Sequence, residues 1–270
     1  MIRSAQARYK SRLNTGTQVN QVARTAQRYP VPPEELRWRA TGSRDAEGFL
    51  ASGSAGVDFF EKEALARQRK SLKDFNSILD FGCGCGRLIR SLRPLCDPWA
   101  SLYGTDIDQA AIAWCKDNIA DASFSMNGAN PPLRFEDKSM DLIYACSVFT
   151  HLDADDQFHW LAEMQRIMKP DGYLLLTFRY RYNIEQIADQ SVRDRIWEDL
   201  NRDGIAFLPA ETAPGVEAAA YGEAYHTPEY VRTNWGRYFE VCDIITAGAI
   251  TQETAVLRAR ESSFLQRLFR

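Results

Sequence analysis

Short apolar segments alternate with amphipathic ones through the middle of this 270-residue chain. Segments with apolar residues at helical spacing predict helices over 87–93, 109–119 and 154–168. Compact apolar runs between them predict strands over 77–81, 101–106, 122–126, 140–146 and 172–178. Two last apolar runs, 238–244 and 254–258, predict a terminal hairpin. Strands that alternate with helices are typical of a mostly parallel sheet with helices on both faces.

The segments that flank this alternation divide the chain further. Residues 57–72 predict an amphipathic helix. We therefore expect residues 1–75 to form an N-terminal arm with cap helices, and 76–270 to form the main domain. Within that domain, residues 179–226 carry many aromatic side chains among prolines and glycines, which predicts an irregular lid insertion.

A glycine-rich turn follows the first predicted strand. Gly82, Gly84 and Gly86 stand at alternate positions between the strand and the predicted helix. Because glycine lacks a Cβ, a ligand can approach the backbone of such a turn closely. Asp106 ends the second predicted strand, where a carboxylate is placed to accept hydrogen bonds from ribose hydroxyls. The two features together predict a site for a nucleotide-type cofactor.

The spacing of the glycines distinguishes between cofactors. A dinucleotide fingerprint would require a third glycine at position 87, which is occupied by Arg87. The spacing G-x-G-x-G resembles motif I of the class I S-adenosylmethionine (SAM)-dependent methyltransferases instead. Residues 140–152 resemble that family's fourth strand and the following loop, and residues 168–176 resemble the turn into its fifth strand. An NAD(P)-dependent oxidoreductase is the less favoured alternative.

The resemblance implies a doubly wound, mostly parallel seven-stranded sheet with a terminal antiparallel hairpin, and SAM as the cofactor. It implies that nine residues bind the cofactor: Asp80, Gly82, Cys83, Gly84, Gly86, Asp106, Ile107, Asn127 and Cys146. The glycines would hold the methionine portion, and Asp80 would fix the turn and the amino group. Ile107 would pack on the adenine and Cys146 would line the sulfonium pocket. Asn127 follows strand three at the adenine edge, where the usual acidic residue is missing.

Two histidines are candidates for a general base. His151 follows the fourth strand, and histidine ordinarily titrates near neutral pH. Alternatively, His151 supports the start of the helix predicted at 154–168. His226, in the predicted lid, is the second candidate.

No metal site is expected. Cys83 and Cys85 lack the second pair of ligands that a structural zinc site needs. Asp153, Asp155 and Asp156 stand where aspartates commonly stabilise the first turn of a helix. The six cysteines are scattered along the chain, which favours reduced thiols and a cytoplasmic protein.

Charge and hydropathy constrain the partners. The formal net charge of −3 does not favour nucleic-acid binding, although residues 1–30 are basic. No apolar run approaches the roughly 20 residues needed to span a bilayer. The resemblance to the methyltransferases, taken with these limits on the partners, implies methyl transfer to an O or N atom of a small molecule. The aromatic residues of 179–226 would contact the acceptor, or form the lid's own core. A catalytically inactive SAM-binding regulatory protein is the alternative from another class.

Overall fold

The strands form one large sheet and one small hairpin. The computed structural model describes residues 28–209, 222–247 and 250–260. In chain order, the strands of this described part are β1 Ser77–Phe81, β2 Ser101–Asp106, β3 Ser123–Met126, β4 Met140–Ala145, β5 Met168–Phe178, β6 Ile205–Pro209, β7 Gly222–His226, β8 Glu240–Ile245 and β9 Glu253–Arg258. Seven of them form a sheet in the order β3-β2-β1-β4-β5-β9-β8, and β6 pairs with β7.

The sheet has the predicted fold. Strands β1 to β5 run parallel, whereas β9 is antiparallel to both β5 and β8. The first strand, β1, therefore lies inside the sheet; the chain adds β2 and β3 on one side of it and then crosses to β4 on the other. The carboxyl ends of the parallel strands meet at one edge, where ligands bind in open α/β sheets. The predicted doubly wound sheet with a terminal hairpin is confirmed.

The helices agree less closely with the predictions. Those of the described residues are α1 Glu34–Thr41, α2 Ala46–Phe59, α3 Ile89–Leu92, α4 Gln109–Asn118, α5 Ala154–Ile167, α6 Arg181–Glu185, α7 Gln190–Asp203 and α8 Pro228–Asn234. The predicted helix 57–72 is wrong in its bounds, because Asp45 caps a helix that starts at Ala46 and continues as a π-helical segment, Phe60–Leu65. The predicted helix 87–93 begins later, because residues 84–88 remain in the glycine turn.

Two apolar cores lie on the two faces of the sheet. Ile78 and Leu142 contribute to one core, which α2 and its π-helical extension cover. Leu79 and Ile143 belong to the other core, together with Trp160 from α5. Successive residues of one strand thus enter opposite cores, as expected of a sheet that is buried on both faces.

The cap helices are fastened to the segment that follows the glycine turn. Arg90 is fully buried, and its Nη2 donates hydrogen bonds to the carbonyls of Tyr29 and Pro30, both at 2.8 Å. A Cβ placed on Gly53 of α2 would lie 2.1 Å from the carbonyl oxygen of Arg87. Helix α2 can therefore pack this closely on the turn only because position 53 has no side chain.

The predicted lid has a small core of its own. Ile184, Ile196, Leu200, Ala206 and Tyr225 are buried together, with Tyr180 and Trp197 against them. Of the two roles considered for the lid aromatics, the structure supports the core role for these three. The lid joins the sheet through hydrogen bonds from the Ala224 amide to the Thr150 carbonyl and from the His226 amide to the Arg179 carbonyl.

Some predictions concern residues outside the described part. They concern the basic arm up to residue 27 and the part of the lid at 210–221. Within the described residues, no helix has the length and apolar character needed to cross a membrane.

Candidate active site

The glycine turn is bound to the end of the neighbouring strand. The amides of Gly82 and Cys83 both donate to the Thr105 carbonyl, at 2.8 and 3.0 Å. The Gly84 amide donates to Asp106 Oδ2 at 2.7 Å. Hydrogen bonds to the last two residues of β2 thus fix the conformation of the turn that follows β1.

The three glycines of the turn have different surroundings. All three have positive φ, +75° at Gly82, +51° at Gly84 and +79° at Gly86. A Cβ on Gly84 would meet nothing closer than Ala40 Cβ of helix α1, at 3.4 Å, which is an ordinary van der Waals distance, and Gly84 lines the cavity. A Cβ on Gly86 would lie 2.4 Å from Ile119 Cδ1. Gly86 therefore packs toward the core and does not line the cavity that Gly82 and Gly84 line.

Asp106 connects the turn to the start of helix α4. Its Oδ1 accepts a hydrogen bond from the Asp108 amide at 2.8 Å, while Oδ2 holds Gly84. Burial raises the pKa of Asp106 above its ordinary value. Asp108 caps α4 through the amides of Ala110 and Ala111, and its Oδ2 forms a 2.7 Å ion pair with Arg39 of α1. Helix α1 is thereby fixed over this end of the cavity.

The predicted adenine-side residues lie around the same end. Ile107 and Asn127 both line the cavity, as does Trp38 of α1. Asn127 Nδ2 donates to the Gly128 carbonyl at 2.8 Å, whereas its Oδ1 is buried and has no hydrogen-bond partner among the described residues. This half of the cavity thus offers an unused acceptor beside apolar and aromatic surfaces.

Asp80 lies behind the turn and not in the cavity wall. Its side chain is 1% exposed, and neither carboxylate oxygen has a hydrogen-bond partner among the described residues. Burial is the main reason that the pKa of Asp80 rises to about 7, and the charge of Asp106 adds to the rise. The neighbouring Tyr144 hydroxyl and, after it, the charge of Arg87 lower the pKa and offset part of this rise. A role of Asp80 toward a cofactor's amino group remains a prediction.

One cavity extends along the carboxyl edge of the sheet. It has a volume of about 820 Å³ and its lining includes residues that follow β1, β2, β4 and β5. Cys146 follows β4 and its Sγ lies 3.4 Å from Arg87 Nη2. The next residue, Ser147, has a φ of +63°, and its Oγ donates to Gln252 Oε1 at 3.1 Å. A non-glycine residue held in this conformation at a cavity wall is typical of functional sites.

His151 also lines the cavity, beyond Cys146. Its Nδ1 lies 2.8 Å from the Gly222 carbonyl oxygen. Because a carbonyl only accepts, Nδ1 carries the proton and the ring's lone pair is on Nε2. Burial, with a contribution from the charge of Arg179, lowers the pKa of His151 to about 4. The expected titration near neutrality is therefore wrong, and His151 is a neutral imidazole at pH 7.

His226 does not reach the cavity. It is fully buried, and Gln157 donates to its Nε2 at 2.9 Å while accepting from Trp235. Burial lowers the pKa of His226 to about 3. The rings of Phe178 and Tyr230 also contact it. In this position His226 serves the core beneath the lid, and we do not retain it as a candidate base.

Several further residues line the cavity that were not predicted as site residues from the sequence: Val148, Leu152, Trp160, Arg179 and Gln252. The position of Arg179, directly after the parallel strand β5, is a signal that could have identified it, since strand ends of this kind form binding sites. Gln252 precedes an antiparallel strand, and nothing in its local sequence indicates a role.

The cysteines and aspartates that were considered as metal ligands have other partners. Cys83 and Cys85 are buried, and their thiols contact the carbonyls of Gly84 and Leu36 respectively. Asp153 caps α5 through the Asp156 amide, at 2.9 Å. No group of three or more potential metal ligands occurs among the residues that the structure describes.

Comparison with known proteins agrees with this geometry. Residues 79–176 match the family described as a methyltransferase domain. The chain is 31% identical over 147 residues to a fatty-acid O-methyltransferase of Mycolicibacterium smegmatis, covering 52% of this chain and 49% of the relative. It is 33% identical over 109 residues to a phthiotriol/phenolphthiotriol dimycocerosates methyltransferase of Mycobacterium ulcerans, covering 37% and 36%. The chain thus spans half or less of these curated relatives.

A solved structure shares the fold. A SAM-dependent methyltransferase of Methanosarcina mazei superposes with a TM-score of 0.52 at 20% identity, covering 72% of this chain and 97% of that one. The chain therefore has the fold of the class I SAM-dependent methyltransferases, as its motifs predicted, and its residues 79–176 are similar to their methyltransferase domain.

Proposed function

We propose that this protein binds SAM along the carboxyl edge of β1, β2 and β4 and transfers its methyl group to an oxygen or nitrogen atom of a small molecule. The observation that carries the proposal is the Gly84 cradle, which opens into the cavity and is hydrogen-bonded to the buried carboxylate of Asp106. The names of the two curated relatives support methyl transfer, and one of them specifies an oxygen acceptor.

The residues present fit this cofactor. Asp106 has carboxylate oxygens for the ribose hydroxyls, and Asn127 Oδ1 is a buried acceptor for the adenine amino group. The open side of Gly84 leaves room for the methionine portion, and Cys146 lies at the following strand end. When bound, SAM supplies a methyl group on a positively charged sulfur that leaves as a neutral thioether.

The chain's own residues would align the acceptor and exclude water. Helix α1 covers the nucleotide half, and the Arg39–Asp108 ion pair holds it there. His151 is placed beyond Cys146, where its Nε2 would take a proton from an O–H or N–H acceptor. The hydrogen bond from Nδ1 to Gly222 keeps the imidazole in the tautomer that this role needs.

Binding and turnover test the proposal directly. We expect SAM and S-adenosylhomocysteine, but not NADH, to raise the melting temperature. S-adenosylhomocysteine should then accumulate when the protein is incubated with SAM and a mixed panel of hydroxyl, amine and carboxylic acid acceptors. Stabilisation by NADH alone would contradict the cofactor assignment, and binding without product over the whole panel would favour an inactive binding protein.

The Asp106 carboxylate should contribute strongly to cofactor affinity. Hydrogen bonds to a charged group contribute about 1.5–3 kcal/mol, so Asp106→Ala should weaken SAM binding by roughly ten- to a hundred-fold. Asp106→Asn is the matched control, because its amide oxygen can still accept from the Gly84 amide, and it should lose less affinity. Calorimetry that shows unchanged SAM affinity in a folded Asp106→Ala variant would remove Asp106 from the site.

Gly84 and Gly53 should respond differently to substitution. Gly84→Val places a branched side chain in the cavity, so we expect SAM binding to be lost while the fold is largely retained. Gly53→Ala instead forces α2 away from the Arg87 carbonyl, and overpacking of this kind costs typically about 1–3 kcal/mol of stability. Melting curves and SAM calorimetry on both variants separate the two effects. SAM bound in an unchanged pose in crystals of Gly84→Val would refute the proposed cradle.

The pH dependence of turnover tests His151. If Nε2 accepts the acceptor's proton, His151→Ala should lower kcat by about 10²–10⁴-fold while SAM affinity stays nearly constant. Because the pKa is lowered to about 4, the base form predominates at neutral pH. The wild-type rate should fall only as the pH drops through about 4, and not near the ordinary histidine value. A near-normal kcat in the variant would instead leave His151 with a structural role only.

A further inference from the structure

The order of strands separates the cofactor from the acceptor. Along the carboxyl edge the order is β2, β1, β4 and β5, with Asp106 at the end of β2 and Arg179 directly after β5. Neighbouring strands lie about 4.8 Å apart, so three spacings put roughly 14 Å between these ends. Arg179 therefore lies on the side of the cavity away from the ribose residue, next to the part that an acceptor would occupy.

Two hydrogen-bond donors meet at this end of the cavity. Phe178 pairs with Glu253 across the antiparallel strands, so the adjacent residues Arg179 and Gln252 lie side by side at the sheet edge. Both line the cavity. Gln252 Oε1 accepts a hydrogen bond from the Ser147 hydroxyl. The side-chain amide can still donate through the N–H groups of its Nε2.

The guanidinium of Arg179 is only partly compensated within the chain. Its side chain is 16% exposed, and its Nη1 lies 3.0 Å from Glu223 Oε1. That contact does not have hydrogen-bond geometry, and Glu223 itself is 49% exposed. Such half-solvated ion pairs contribute little, whereas a guanidinium has five N–H donors in a fork that suits a carboxylate. The guanidinium carbon also lies 5.9 Å from the centre of the Tyr225 ring, and neither this contact nor the ion pair with Glu223 uses the whole fork of donors.

The surroundings of Arg179 define the rest of the ligand. Val148, Leu152, Trp160 and Ile250 give the same cavity apolar and aromatic walls. Asp156, at the start of α5, is the one carboxylate that the described residues add to this half. A ligand with an anionic group at Arg179 and an apolar body along these walls would complement this part of the cavity.

We propose that the methyl acceptor carries a carboxylate beside an apolar body, and that Arg179, with the amide of Gln252, binds that carboxylate. The inference rests on the proposed methyltransferase function and specifies its substrate class. The carboxylate is the group that is recognised, while the methylated O–H or N–H lies toward His151. Arg87 is closer to the glycine turn, through its contact with Cys146, and is left for the cofactor's own carboxylate.

Benzoate and benzamide provide the test, because they differ in charge but hardly in shape. The protein is saturated with S-adenosylhomocysteine, so that the cofactor's carboxylate subsite is filled, and each probe is titrated by calorimetry. We expect benzoate to bind about ten-fold or more tightly than benzamide. Arg179→Gln should abolish that difference, and the control Arg181→Gln, on the lid surface over Trp197, should retain it.

Glu223→Gln provides an independent test in the opposite direction. Removal of the internal carboxylate that competes for Arg179 should strengthen benzoate binding several-fold, and this measurement is available even if Arg179→Gln does not fold. Equal affinity for benzoate and benzamide, or benzoate binding that is unaffected by both substitutions, would overturn the carboxylate assignment. Failure of S-adenosylhomocysteine to bind would instead contradict the proposed cofactor.

Discussion

The hydrogen bond from the Gly84 amide to the Asp106 carboxylate fixes the geometry on which the rest of the site depends. It ties the turn after β1 to the end of β2, so that the backbone bends away and leaves a cradle without side chains. The same carboxylate holds the Asp108 amide, and Asp108 in turn caps α4 and pairs with Arg39 of the cap helix. One buried acidic group thus orients a turn, a helix start and a cap. Burial raises its pKa, and the hydrogen bonds that it accepts from the Asp108 and Gly84 amides offset part of that rise.

The parallel sheet places different functional groups side by side along its carboxyl edge. Each strand ends at the same edge, and each contributes a different kind of group: a carboxylate after β2, bare backbone after β1, a thiol and a strained serine after β4, and a guanidinium after β5. A ligand with a polar nucleoside end and a reactive centre can lie along that edge, and a second ligand can meet it from the β5 side. The lid is attached to that side through main-chain hydrogen bonds to Thr150 and Arg179, and the Gly222 carbonyl of the lid accepts from Nδ1 of His151.

The sequence was most informative where local chemistry determines structure. The strand ends, the spacing of the glycines and the acidic residue at position 106 are local signals, and they predicted which residues meet at the β1–β2 end of the cavity. Glycine at position 86 has a positive φ like its neighbours, but its role in packing against Ile119 depends on tertiary contacts that no motif reports. The start of α2 was missed because the cap Asp45 precedes a glycine-rich stretch with weak helical propensity.

The acceptor half could not be predicted in the same way. His226 was the second candidate base after His151, yet pairing in the lid hairpin and packing against Trp235 bury it completely. Gln252 reaches the cavity because the antiparallel pairing of β9 with β5 places it beside the carboxyl end of β5. Both outcomes depend on strand pairing between distant parts of the chain, which periodicity does not encode.

A crystal structure of the protein with S-adenosylhomocysteine bound tests the central claim most directly. We expect the ribose hydroxyls to contact Asp106 and the adenine to lie beside Ile107 and Asn127. The amino-acid portion should lie over Gly84, with the sulfur directed toward the space between Cys146 and His151. Density for the nucleoside at any other edge of the sheet, or a ligand whose ribose does not contact Asp106, would contradict it.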